Sequence, residues 1–316
     1  MTAAYPFRLI DRRREGPMED PGLLRQRPFI QLRRTFEDDA RLFDSGDELE
    51  TAMNTALAVG LPLLITGEPG TGKTQAAYYA AWKLRAEPVI HFQVKSDSTA
   101  RDLLYSFDTV QYFHDAHLAG SGELPDKIKY RTPRELWDAL KSPNPRVLLI
   151  DEIDKAPRDF PNDLLHELDK MEFTVRETRE KIDAEPEMRP VVFITSNSER
   201  RLPEPFLRRC VYHNIRFDEE LVRRAVRVRR ERGEYGNLSD GFLEMALQRF
   251  LALRERSLRK PPATGELLVW LRVLALAAGT YPERLEERDL SKLPYLGTLL
   301  KDHDDIESLP REKGRP

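Results

Sequence analysis

Cysteine is almost absent: the 316 residues contain one, Cys210. An internal disulfide is therefore excluded, which fits a reducing cytoplasm. Long apolar runs are missing too. The longest, "LLVWLRVLALAAG", is interrupted by Arg272 and falls short of the roughly 20 residues needed to span a bilayer. The opening stretch, "MTAAYPFRLIDRRREG", has no apolar core of signal-peptide length, so a cytoplasmic protein without a membrane span is expected. Neither sign of charge prevails. The 51 Lys and Arg nearly balance 54 Asp and Glu, and a net charge of −3 gives no general pull toward nucleic acid or anionic membrane. Histidine is scarce, six in all, and shows no metal-ligand spacing. His114 and His117 in "HDAH" would stand one turn apart on a helix, with no further ligands clustered nearby. No internal repeat or low-complexity tract occurs.

What the chain does have is charge of both signs and a recurring strand–helix rhythm. Charged residues make up 33%, against about 25% in average proteins, which implies much solvated surface. The length allows one large domain or two ordinary ones. Residues 1–44 mix Arg, Asp, Glu and Pro without sustained periodicity and read as an N-terminal arm, either extended or a poorly ordered tail. From Glu48, "ELETAMNTALAVG" has helical spacing and a closing Gly60. Four short apolar runs follow, "LPLLITG", "PVIHFQV", "RVLLIDE" and "PVVFITSN", with a fifth, more alternating one, "VYHNIRF". Helical patterns separate most of them, which predicts a three-layer αβα domain over 45–217 with a mainly parallel five-stranded sheet. Residues 218–316 hold no convincing strand and read as a small all-helical domain ending in a charged tail.

The chemistry begins after the first strand. "GEPGTGKT" is Gly67, Glu68, Pro69, Gly70, Thr71, Gly72, Lys73 and Thr74, the G-x-x-x-x-G-K-[ST] pattern of a P-loop. Its glycines let the backbone turn tightly and aim N–H groups at phosphate oxygens, and the following helix adds its positive end. Lys73 supplies charge to the β and γ phosphates, and the Thr74 hydroxyl suits Mg²⁺. "RVLLIDE" ends a buried strand in two carboxylates, costly unless they face a cation or a reactive water. Asp151 is placed to hold the hydration shell of Mg²⁺, and Glu152 to polarise the attacking water. Asn197, at the tip of "FITSN", either holds that water or the γ phosphate, or is an ordinary turn asparagine. Arg208 and Arg209 in "PFLRRC" are either surface charge on a helix end or groups that meet an anion from outside their own chain.

In this order, "GEPGTGKT", "VLLIDEIDKAPRDFPNDLLHELDKMEFTV", "VVFITSN" and "LPEPFLRRCVYHNIRF" resemble an AAA+ ATPase of the MoxR type over roughly residues 45–280. "FQVKSDSTARDLL" and the later helices, as a lid, are similar to that group as well. The resemblance implies Walker A at Gly67–Thr74, Walker B at Asp151 and Glu152, and sensor 1 at Asn197. It implies an arginine finger at Arg209 or Arg208, assembly into a ring, as a hexamer, and ATP-driven remodelling of a client protein. A von Willebrand A-domain partner is implied too. One departure stands out: in "PPATGELLVWL", Gly265 occupies the place where related ATPases carry a γ-phosphate-sensing arginine. Either Arg272 or Arg259 substitutes from a different position, or nucleotide sensing by the lid is weakened, and sensor 2 stays unassigned.

Two stretches have plainer readings. "LVRRAVRVRRER" packs Leu221, Val222, Ala225 and Val228 inward and exposes its arginines, and neighbouring acids dilute its field. "RETREKIDAEPEMR", between Walker B and sensor 1, is either an insertion that moves with nucleotide state or a solvated loop. The alternatives to a protein remodeller are a nucleic-acid motor or loader, since "RRC" also resembles a clamp-loader finger motif, and an assembly scaffold that hydrolyses little ATP. No recognisable DNA-binding module supports the first.

Overall fold

The computed structural model describes residues 36–120, 122–197, 199–236, 238–277, 285 and 289–309. Most of the expected N-terminal arm, residues 1–35, lies outside them. Contacts separate a unit Phe36–Phe217 from the described residues that begin at Asp218.

The first unit opens with α1 (Phe36–Ala40) and α2 (Gly46–Val59), then β1 (Leu63–Gly67), α3 (Lys73–Leu84) and β2 (Ile90–Gln93). Next come α4 (Ala100–Leu104), β3 (Tyr105–Phe107), α5 (Thr109–Ala119), β4 (Arg131–Pro133) and α6 (Glu135–Leu140). The chain continues through β5 (Val147–Asp151), α7 (Phe160–Asp163), α8 (Leu165–Lys170), β6 (Glu172–Thr174) and β7 (Lys181–Asp183). It closes with β8 (Val191–Ser196), α9 (Glu204–Leu207) and β9 (Val211–Ile215).

Five strands form one sheet in the order β2-β5-β8-β1-β9, every neighbouring pair parallel. These are the five runs that the sequence marks as strands. β1 and β5 are buried along their whole length, as strands covered on both faces must be. Alternate residues feed two cores. Leu63, Ile65, Val147, Leu149 and Phe193 pack with Ala76, Ala77 and Ala81 of α3. Leu64, Leu148, Ile150 and Ile194 pack on the other face with Leu136, Leu140, Phe160 and Leu164. Each buried Leu or Ile contributes about 1.5–3 kcal/mol, and the alanines let α3 approach the sheet closely. The result is a three-layer αβα P-loop fold.

Several expectations need correction. Residues 36–44 are not an extended arm: α1 packs on α3, with Phe36 stacked on Tyr78 at 5.1 Å and Gln75 Nε2 donating to Phe36 O at 2.8 Å. A five-residue helix is too short to show a period in the sequence. "RETREKIDAEPEMR" is not simply a solvated loop, because its Lys181–Asp183 pairs antiparallel with Glu172–Thr174. β3 and β4 also pair antiparallel, across the intervening α5, and no sequence signal announced that pairing.

Beyond Asp218 lie α10 (Glu219–Glu231), α11 (Asp240–Arg254), α12 (Thr264–Leu276) and α13 (His303–Ser308). Asp218 caps α10 by accepting from the N–H groups of Glu220 and Leu221. The helix buries Val222 and Val226; Leu221, Ala225 and Val228 are only half-buried, so its inner face is rotated from the one expected. Arg223 is not a free surface charge either, being paired with Glu219 at 2.8 Å and Glu244 at 2.7 Å. The tail is partly core: Leu290, Leu293, Leu296, Leu299 and Leu300 are buried, and Trp270 Nε1 donates to Pro294 O at 2.7 Å. Among the described residues no helix is long and apolar enough to cross a membrane.

Candidate active site

The turn from β1 into α3 needs glycine for two separate reasons. Gly67, Gly70 and Gly72 have φ of 150°, 76° and 94°, where side chains are strained. A Cβ at Gly67 would also meet Ile215 O at 2.6 Å, and one at Gly72 would meet the Phe43 ring at 2.7 Å. Thr71 Oγ1 donates to Glu68 O at 2.8 Å and closes the loop on itself. Lys73 begins α3, and its buried ammonium donates to Gly67 O at 3.0 Å and Glu68 O at 2.9 Å. Burial pulls this group below the ordinary lysine range, opposed by the charges of Asp151, Asp154, Glu152 and Glu68.

Thr74, one residue on, donates to Asp151 at 3.0 Å (Oδ1) and 3.2 Å (Oδ2). Asp151 ends β5 and is buried. Desolvation raises its pKa, but His91, Thr195 and Thr74 outweigh it and hold the carboxyl below its usual range. His91 Nε2 lies 3.3 Å from Asp151 Oδ2, and its Nδ1 is 3.1 Å from the Tyr78 hydroxyl. An ionised carboxylate beside a hydroxyl is a hard oxygen pair, so the residues present fit Mg²⁺ held through one carboxylate, one hydroxyl and waters.

Glu152 follows with φ 60° and ψ 49°, in the left-handed region. Its Oε1 accepts from Asn197 Nδ2 at 3.2 Å, and its Oε2 accepts from Gln93 Nε2 at 2.6 Å and pairs with Lys155. The structure therefore brings Asn197 to Glu152, which an ordinary turn asparagine would not require. Asp154, buried, fixes the chain beyond β8 by accepting from the N–H groups of Asn197 at 3.2 Å and Glu199 at 2.9 Å. Thr195 touches both Asp151 and Glu152.

Residues 62–210 match the AAA domain family, dynein-related subfamily. No curated protein matches the chain. Among solved structures, the crystal structure of a putative ATPase from Cytophaga hutchinsonii is 15% identical and covers 77% of this chain and 78% of that chain, with a TM-score of 0.42.

The two arginines near the end of the first unit have partners within it. Arg208 pairs with Glu204 at 3.2 Å, and Arg209 Nε donates to Asp169 Oδ2 at 2.7 Å, with Nη1 on Pro205 O at 2.9 Å. Both side chains are exposed, 76% and 44%. Cys210 beside them is a packing residue: burial pushes its thiol up to about 12, and Sγ donates to Phe206 O. In the helical unit, Gly265 lies in the first turn of α12, while Arg259 pairs with Asp304.

Sequence reasoning missed Gln93, Thr195, Asp154, His91 and Lys155. Thr195 left a faint signal, a hydroxyl in the apolar run "VVFIT" two positions before Asn197. Gln93 and His91 left none, because each meets its partner across the sheet.

Proposed function

We propose that the chain is a MoxR-type ATPase that works as a hexameric ring, binds ATP with Mg²⁺, and couples hydrolysis to remodelling of a partner protein. A protein with a von Willebrand A domain is the first candidate partner. The observation that carries the hydrolytic part is the contact of Glu152 with Asn197 at 3.2 Å, beside the Thr74–Asp151 pair. A carboxylate and an amide converge next to a phosphate loop, as a water-activating pair requires.

The loop N–H groups and Lys73 cradle the phosphates, and Lys73 trades its carbonyl partners for phosphate oxygens. Thr74 and Asp151 would hold Mg²⁺, and the ion would supply charge neutralisation to the phosphates. Glu152 takes up the proton of the attacking water as its oxygen bonds to the γ phosphorus and the ADP oxygen leaves. Asn197 steadies the carboxylate through Oε1. Arg209, or Arg208, stabilises the transferring phosphate of a neighbouring subunit.

Steady-state phosphate release, measured alone, with DNA and with the candidate partner, tests the reading beside Lys73→Ala. The expected result is turnover stimulated by the partner and not by DNA. Lys73→Ala should bind a fluorescent ATP analogue at least about tenfold more weakly, since a charge-assisted contact to phosphate is gone. Parent-level affinity in that variant would remove the phosphate-loop assignment. Binding without turnover would favour the assembly scaffold instead.

A further inference from the structure

Thr195 lies in β8 with no exposed surface. β5 and β8 are parallel neighbours with Ile150 opposite Ile194, so residue 195 falls beside the end of Walker B. A hydroxyl offers one proton and two lone pairs, and here both functions are used. Thr195 Oγ1 donates to Asp151 Oδ1 at 2.5 Å and accepts the Glu152 N–H at 2.8 Å. Valine would fill the same volume, so packing alone does not call for the oxygen.

Its second bond falls where the backbone is unusual. A left-handed non-glycine residue costs about 1–2 kcal/mol and endures only where its surroundings hold it. Glu152, at φ 60°, is such a residue, and the Thr195 oxygen receives its N–H. Asn197, two positions beyond Thr195, then donates from Nδ2 to the turned Glu152 carboxylate at 3.2 Å. β8 and the loop beyond it thus grip Walker B twice, at the backbone and Asp151 through Thr195, and at the side chain of Glu152 through Asn197.

We propose that Thr195 is a positioning residue for hydrolysis, its hydroxyl setting the orientation of Asp151 and Glu152 relative to each other and to Asn197. This rests on the hydrolytic reading above. Removing the hydroxyl leaves the Glu152 N–H without its acceptor and frees the Asp151 carboxylate to rotate. Thr195 makes no hydrogen bond of its own to the phosphate loop, and only the Thr74–Asp151 contact links the loop to the change. The effect belongs in kcat, because a displacement of about 1 Å at a reacting group can cost about 10²-fold.

The test compares the parent with Thr195→Val and Thr195→Ser by phosphate release at saturating ATP, titration with a fluorescent ATP analogue, and thermal unfolding. Thr195→Val should lower kcat about 10- to 100-fold. Its affinity for the analogue should stay within about threefold of the parent. Thr195→Ser, which keeps the hydroxyl, should recover most of the rate. If Thr195→Val does not fold, Thr195→Ala is set against Thr195→Ser by the same measurements. Parent-level kcat without the hydroxyl overturns the proposal, as does a loss of kcat matched by an equal loss of analogue binding, or a serine variant as slow as the hydroxyl-free one. A parent without turnover defeats the hydrolytic reading and this proposal with it. An active parent matched by an equally active hydroxyl-free variant defeats this proposal alone.

Discussion

Glu152 receives side-chain donors from three places: Gln93 on β2, Lys155 one short turn later, and Asn197 beyond β8. Such a carboxylate is oriented before any water arrives, which is the condition for efficient proton transfer. Glu152→Gln keeps the size of the side chain and removes the base. ATP affinity should stay near that of the parent, while turnover falls at least about 10²-fold. Single-turnover hydrolysis with excess protein checks this, and parent-rate hydrolysis would take the base assignment away from Glu152. The Asp151–Glu152 pair and the eight loop residues stood out in the sequence because their spacing is local and chemically demanding. Gln93 was not, since its bond to Glu152 joins residues 59 apart in the chain.

At the scale of elements, the β6–β7 hairpin is tied down by more than its own ladder. Tyr105, at the start of β3, donates to Glu177 Oε2 at 2.9 Å and accepts the Arg176 N–H at 3.0 Å. Arg101 of α4 pairs with Glu177 at 2.7 Å, and Tyr105, Trp137 and Phe173 cluster with centroids 5.7–6.5 Å apart. Arg131 of β4 pairs with Glu180, and Lys141, after α6, pairs with Asp183 at 3.2 Å. Tyr105→Phe keeps the ring cluster and deletes the hydroxyl, and hydrogen bonds to a charged group are worth about 1.5–3 kcal/mol. Urea unfolding at neutral pH should therefore show a loss of about 1–3 kcal/mol. Desolvation raises the Glu177 pKa, but Tyr105, a backbone N–H and Arg101 outweigh it and leave it lowered. A lowered folded pKa means stability present above the unfolded carboxyl value and lost as pH falls through the folded one. The deficit of Tyr105→Phe should accordingly shrink in acid, and a deficit that grows there would contradict the assigned bond. None of this was readable beforehand, because three-residue strands in a charged stretch carry no period.

For the whole molecule, the question is whether local pairing disqualifies Arg209 as a group acting on a neighbouring subunit. The magnitudes say no. An exposed ion pair such as Arg209–Asp169 is worth about 0–1 kcal/mol, whereas an arginine finger contributes about 10³–10⁵ in rate. Exchanging the first for the second is favourable by several kcal/mol at the transition state. On the proposed ring, Arg209→Ala and Glu152→Gln proteins should each be nearly inactive alone. Mixed, they should recover part of the ATPase activity, because an intact site on one meets an intact finger on the other. No recovery despite demonstrated subunit exchange would count against action in trans, and full activity of Arg209→Ala alone would move the role to Arg208 or abolish it.

The sequence by itself determined the five strands, the phosphate loop and the carboxylate pair. Each is written in adjacent residues: buried strands as apolar runs, a tight phosphate turn as glycines at fixed spacing. Tertiary structure alone decided how those pieces become a site. The order β2-β5-β8-β1-β9 sets β2 and β8 on either side of β5. That placement brings Gln93 and Asn197 to Glu152, and His91 and Thr195 to Asp151. It likewise decided that α1 belongs to the P-loop unit and that leucines in the charged tail are core. The physical reason is the same throughout. Local propensity and burial patterns act over a few residues, whereas hydrogen bonds across a parallel sheet join residues whose separation along the chain is set by the crossovers between strands.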